Sequence, residues 1–121
     1  MEVAAAPLVL VVEDEPLVRV DAIDLLTDAG FRVLEAANAD EAIAILEGRN
    51  DIRAVVTDIQ MPGSMDGLKL AATIRNRWPP IALIVTSGHT FLEKEQLPER
   101  GWFIAKPYDS TRLVDALHAA L

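Results

Sequence analysis

Three short, uninterrupted apolar runs constrain this chain more than any other feature in it. Leu8 to Val12 is five apolar residues in a row, Ala54 to Val56 continues the pattern, and Ile81 to Val85 is a third unbroken run. Each is bounded by polar or turn-forming residues and none alternates, so they read as strands buried on both faces. Phe31 to Ala36 instead mixes Phe31, Val33 and Leu34 with Arg32 and Glu35, and Trp102 to Ala105 is short and ends at Lys106-Pro107. Those two suit the edges of a sheet.

Between the runs the apolar spacing becomes helical. Val18, Ala22, Leu25, Leu26 and Ala29 share one face, as do Ala42, Ile43 and Leu46, then Leu68, Ala71, Ala72 and Ile74, and finally Leu113, Ala116, Leu117 and Ala120. Pro16 suits a first helical turn, Gly30 and Gly48 suit helix ends, Asp40 and Asp109 suit N-caps, Glu15 reads as a further cap, and Pro79-Pro80 stops a helix at Trp78. Between Ser87 and Gly101 the helix candidate is about Phe91 to Gln96, closed off by Pro98, so a fourth helix is expected to be short or irregular. Strands alternating with helices predict an α/β fold, a three-layer open sandwich with a parallel sheet and right-handed crossovers.

The 121 residues suit one domain, with an ordered core expected from about residue 7 to residue 121. No apolar run approaches the roughly 20 residues of a membrane helix, and Met1 to Ala6 lacks the basic start and apolar middle of a signal peptide. A cytoplasmic protein without membrane attachment is expected. Absence of cysteine removes disulfides, zinc-thiolate sites and thiol nucleophiles together. The net charge of −8 has the wrong sign for neutralising nucleic-acid phosphates, so direct nucleic-acid binding is not expected.

In open parallel sheets, ligands bind beyond the carboxyl ends of the strands where the strand order reverses. Glu13 and Asp14 follow the first strand, Asp58 ends the third, Thr86 and Ser87 end the fourth, and Lys106 ends the fifth. All the chemically capable groups therefore fall on one rim. Three converging carboxylates repel unless a cation or proton intervenes, and hard oxygen ligands favour Mg²⁺ (or Mn²⁺). A lysine ammonium and a threonine hydroxyl supply the charge and donor that a phosphoryl group needs. With no G-x-x-x-x-G-K-[ST] or G-x-G-x-x-G string present, phosphoryl chemistry without a nucleotide-binding loop is the expectation.

The strings Val11-Val12-Glu13-Asp14-Glu15-Pro16, Thr57-Asp58-Ile59-Gln60-Met61-Pro62-Gly63 with Met65-Asp66-Gly67, Thr86-Ser87 and Lys106-Pro107-Tyr108 together resemble the receiver domain of bacterial response regulators. The resemblance covers nearly the whole chain and implies a flavodoxin-like sheet of order 2-1-3-4-5. It also implies that Asp58 takes a phosphoryl group from a histidine kinase or histidine phosphotransfer protein. Asp14 and Asp58 would bind Mg²⁺ directly, with the Gln60 carbonyl as a third ligand and Glu13 acting through water. Lys106 would contact the acyl phosphate and Thr86 would donate its hydroxyl to it. Thr86 would couple to Phe103, either as a switch by rotamer exchange or with Phe103 as ordinary packing; Gln60 and Gly88 could tune the lifetime of the phosphorylated state.

Trp78 and Trp102 are assigned to packing, and His89 and His118 to a loop and a solvated helix face. Ser64 reads as an extra residue in the loop after Asp58, and the stretch from Thr86 to Lys106 as shorter than usual for the family. The downstream protein stays unnamed and a homodimer is left open, as is the choice between a stand-alone regulator and a piece of a longer one. A phosphorylation-independent scaffold and a metal-dependent phosphatase are the competing readings. The scaffold is disfavoured by Asp14, Asp58, Thr86 and Lys106 occurring together, and the phosphatase by the lack of a second acid or base for a leaving alcohol.

Overall fold

A computed structural model of the protein describes residues 6–59, 66–87, 101–105 and 110–121. Among these, five strands and four helices follow one another as β1 (Leu8–Val12), α1 (Pro16–Asp28), β2 (Arg32–Ala36), α2 (Ala39–Gly48), β3 (Ile52–Asp58), α3 (Gly67–Arg77), β4 (Ala82–Ser87), β5 (Gly101–Ala105) and α4 (Ser110–Ala120). The strands form one parallel sheet in the order β2-β1-β3-β4-β5. The expected class, order and edge strands are all present. The short helix expected near Phe91 to Gln96, the Asp109 cap, His89, Gly88 and Ser64 lie outside the described residues.

Side-chain alternation on the three central strands, buried throughout except at Arg53 of β3, builds two cores, one on each face of the sheet. Leu10, Val12, Val55, Leu83 and Val85 pack against Ala42 and Leu46 of α2 and against Leu70, Ala71 and Ile74 of α3. Val9, Val11, Ala54, Val56, Ile84 and Ile104 pack against Ala22 and Leu26 of α1 and against Leu113 and Leu117 of α4. Each large side chain withdrawn from water in this way contributes about 1.5–3 kcal/mol before entropy is counted. Because both faces are covered, the ends of the sheet are the places left for polar chemistry.

The helix ends are set by local chemistry. Pro16 opens α1, and Gly30 closes it at φ 97°, a left-handed conformation that a side chain would disfavour. Phe31 N donates to Leu26 O at 3.1 Å and Gly30 N to Thr27 O at 3.0 Å, returning the last carbonyls of the helix to hydrogen bonds as Phe31 enters the core. Asp66 caps α3 by accepting from Lys69 N at 2.9 Å, and Arg75 and Arg77 stand in its last turn, where cations suit the helix dipole.

Five local expectations are corrected. Asn38, not Asp40, caps α2: its Oδ1 accepts from Glu41 N at 2.8 Å, while Glu41 reaches back to accept from Ala37 N at 2.7 Å. Asp40 lies in the first turn, where its charge suits the helix start without capping it. Glu15 occupies the N-cap position of α1 but makes no side-chain cap. Ala29 and Ala72 are exposed: Ala29 lies past the end of α1 as its C-cap, and helical rotation carries Ala72 off the stripe that faces the sheet, where Leu70 holds the buried position in α3 instead. Trp102 is 40% exposed on β5, the last strand of the sheet among the described residues, whereas Trp78 is half-buried against the α2–α3 core.

Candidate functional site

Parallel register brings the strand ends to one rim. Val12 pairs with Thr57, Asp58 with Thr86 and Ser87 with Ala105, so the residues following β1 and ending β3 and β4 sit side by side. The order reverses between β1 and β3, which places Glu13-Asp14 and Asp58 on either side of the switch point. Glu13, Asp14 and Asp58 each offer a carboxylate oxygen within 4.8 Å of the others. Glu13 is 5% exposed and Asp58 9% exposed, with Asp14 the most open of the three.

Hydrogen bonds to the backbone hold Glu13 and Asp58. Glu13 N donates to Ala36 O at 3.0 Å, extending the β1–β2 ladder one residue beyond the strand, and Glu13 Oε2 accepts from Glu15 N at 3.2 Å. Arg19, one turn into α1, donates from Nη1 to Glu13 O at 2.8 Å and from Nε to Glu35 Oε1 at 3.1 Å, so one guanidinium ties the turn after β1 to both α1 and β2. On the other side of the cleft, Thr57 Oγ1 donates to Asp58 O at 3.1 Å, Ile59 N donates to Thr86 O at 2.9 Å, and Gly67 N donates to Ile59 O at 2.8 Å. The chain on either side of residues 60–65 is thereby anchored to β4 and to α3.

Like charges gathered this closely cost about 1 kcal/mol per pair in water and roughly 4 kcal/mol at an effective dielectric of about 20. Three oxygen donors from two strand ends, two of them buried and all hard, form a donor set that fits a small divalent cation such as Mg²⁺. Thr86 is buried at 2% exposure, and its hydroxyl lies 3.5 Å from Thr57 O, a long hydrogen bond that a better acceptor would displace.

The structure thus brings together Glu13, Asp14 and Asp58, and sets Thr86 on the strand beside Asp58. Phe103 pairs with Val85 and Thr86 with Ile104, so strand alternation puts Phe103 and Thr86 on opposite pleats of adjoining strands. Phe103 is half-buried against the α2–α3 core. Gln60 and Lys106 lie outside the described residues. Arg19 and Gly67 were not singled out individually on the sequence. Arg19 could have been found by its place one turn after the acidic pair on the first helix, and Gly67 by its occupying a first-turn helical position, where glycine is a poor helix former.

The family pattern described as the response regulator receiver domain matches residues 9–118. This chain belongs to that family. Its receiver domain is 40% identical over 118 residues to the positive alginate biosynthesis regulatory protein of Pseudomonas aeruginosa, an alignment covering 93% of this chain and 46% of that protein. It is similar in structure to a response regulator receiver protein from Sinorhizobium medicae, with TM-score 0.88, 31% identity, and coverage of 95% and 94% of the two chains. It is also similar to the response regulator protein TrrA of Thermotoga maritima in complex with Mg²⁺–BeF, with TM-score 0.83, 25% identity, and coverage of 95% and 99%. The chain spans less than half of the length of the first curated relatives it matches, 24% in one case and 46% in another. No helix among the described residues is long and apolar enough to cross a membrane.

Proposed function

We propose that this receiver domain is a phosphoacceptor switch, with Asp58 as the residue that takes the phosphoryl group. The convergence of Glu13, Asp14 and Asp58 within 4.8 Å at the switch point of the sheet carries this reading. The donor is a phosphohistidine on a histidine kinase or phosphotransfer protein. A carboxylate oxygen of Asp58 forms the new bond to phosphorus, the bond from phosphorus to the imidazole nitrogen breaks, and its electron pair returns to the ring.

Asp14 and Asp58 would hold Mg²⁺ (or Mn²⁺) directly, with the Gln60 carbonyl as a third ligand and Glu13 acting through water. Once bound, the ion supplies neutralisation of the phosphoryl oxygens and relief of the repulsion among the carboxylates. The buried end of β3 holds Asp58 in place, and the Arg19 hydrogen bond to Glu13 O orients the acidic turn. Lys106 would contact the acyl phosphate, and Thr86, its hydroxyl only weakly engaged at 3.5 Å, would turn it to the phosphoryl oxygen. Phe103, half-buried on the adjoining strand, would report that change towards a downstream protein. The resemblance to a receiver held with Mg²⁺–BeF supports the same reading.

The domain acts on itself and turns over no separate substrate, and it works in the cytoplasm as a module spanning the whole 121-residue chain. Intact-mass analysis after incubation with acetyl phosphate tests this, with and without Mg²⁺, on wild type and Asp58→Asn. A metal-dependent gain of one phosphoryl group in wild type and none in the variant is expected. A folded, metal-bound wild type left unmodified both by acetyl phosphate and by a phosphohistidine donor would refute the reading.

A further inference from the structure

Gly67, the first residue of α3, packs directly on the backbone of Asp58. A Cβ built there would overlap the Asp58 carbonyl oxygen and come within 2.6 Å of the Asp58 carbonyl carbon and 2.8 Å of Ile59 Cα. All three are main-chain atoms, which cannot rotate out of the way as the end of a side chain can. The same residue donates its N–H to Ile59 O at 2.8 Å, while Ile59 N is bound to Thr86 O at 2.9 Å. The peptide carrying Asp58 is therefore gripped between β4 on one side and the first turn of α3 on the other, and Asp66 stiffens that turn by capping Lys69 N.

From this we propose that Gly67 is a positioning residue for the phosphoacceptor: the first turn of α3 sets the depth of Asp58 in the cleft, and glycine is required because contact is made backbone to backbone. The inference rests on the phosphoacceptor reading of Asp58. A side chain at residue 67 leaves two ways out. Either α3 withdraws and loosens the Ile59–Gly67 link, or the end of β3 shifts and carries the Asp58 carboxylate away from Glu13 and Asp14. Displacing a reacting group by about 1 Å can cost on the order of a hundredfold in rate. Gly48, the last residue of α2, is the natural control, because a Cβ there meets nothing within 4 Å.

The experiment compares wild type, Gly67→Ala and Gly48→Ala as full chains, each shown to be folded by circular dichroism. It measures the phosphorylation rate with acetyl phosphate across a Mg²⁺ series and the Mg²⁺ affinity by calorimetry. Gly67→Ala is expected to lose at least tenfold in the maximal rate at saturating Mg²⁺, with weaker Mg²⁺ binding, while Gly48→Ala stays within twofold of wild type in both. A folded Gly67→Ala phosphorylated within twofold of wild type overturns the proposal. Where Gly67→Ala does not fold, Asp66→Ala decides, since it frees the first turn of α3 without adding an atom. A fall of threefold or more in its rate at saturating Mg²⁺ supports the positioning role and an unchanged rate overturns it. Wild type that takes no phosphoryl group removes the phosphoacceptor reading itself, and the positioning role with it.

Discussion

At the carboxyl end of the sheet, Glu13, Asp14 and Asp58 bring three carboxyl groups within 4.8 Å of one another, whereas the amino end carries exposed ion pairs of opposite charge. There Arg49 makes two hydrogen bonds to Asp51, at 2.8 and 2.9 Å, just before β3, and Arg77 reaches Glu47 at 2.7 Å while lying 4.4 Å over the ring of Trp78. The amino-end pairs are open to solvent and join neighbouring elements, α2 to α3 and the ends of one turn. The carboxyl-end cluster is partly buried and sits where the fold leaves a cleft. The amino end is tied by exposed ion pairs, and the carboxyl end gathers oxygen donors of the kind a divalent cation takes. A fold that had only stability to serve would have no reason to gather those carboxylates.

The largest expected effect separates the two ends by metal. At Mg²⁺ a hundredfold above its dissociation constant, wild type gains about 2.7 kcal/mol against unfolding. Asp14→Ala loses most of that gain and Arg49→Ala keeps all of it, as urea unfolding with and without Mg²⁺ will read. Without metal, Asp14→Asn removes one member of the carboxylate cluster and raises stability by about 1 kcal/mol. Asp51→Asn at the other end gives no such rise. A destabilised Asp14→Asn would break the contrast, because the cluster would then be held together by something other than an added cation.

Smaller effects sharpen it. Arg77→Ala gives up an exposed ion pair and a cation–π contact, so a loss of up to about 1 kcal/mol is expected in thermal or urea unfolding, with the phosphorylation rate unchanged. The smallest effect concerns acid. The side-chain hydrogen bond from Arg49, more than their charge attraction, holds the Asp51 carboxyl below its ordinary value and raises the Arg49 guanidinium. A carboxyl depressed on folding adds stability above its unfolded pKa and loses it as pH falls through the folded one, so the contribution disappears below about pH 4. Since both groups are exposed, Arg49→Ala should lower the urea midpoint only slightly at pH 7, and the difference from wild type should vanish in that acid range. A clear loss at pH 7 would show that the amino end contributes more than its exposed pairs imply.

Much of the fold was legible in residue order. Unbroken apolar runs marked β1, β3 and β4 as central, because a strand covered on both faces has no solvent side to keep polar, and the mixed run at β2 betrayed an edge. The rim was legible for a related reason: Glu13, Asp14, Asp58 and Thr86 each directly follow or end an apolar strand, and parallel strands put such positions together. Asn38 was misjudged in favour of Asp40 because both residue types cap helices, and the choice depends on where the chain leaves β2. Trp102 was placed in packing, and its 40% exposure on β5, the end strand among the described residues, emerges only from the assembled sheet.

By itself, then, the sequence determined the alternation of strands and helices, the parallel sheet that alternation requires, and the rim on which the carboxylates fall. Each of these follows from periodicities of a few residues and from short connections. Tertiary structure alone decided the separation of Glu13, Asp14 and Asp58, the reach of Arg19 to Glu35 across 16 residues, and the seating of Gly67 on the Asp58 carbonyl. Those depend on strand register and on how closely a helix end approaches a strand end, and both are fixed by packing between segments distant in the chain.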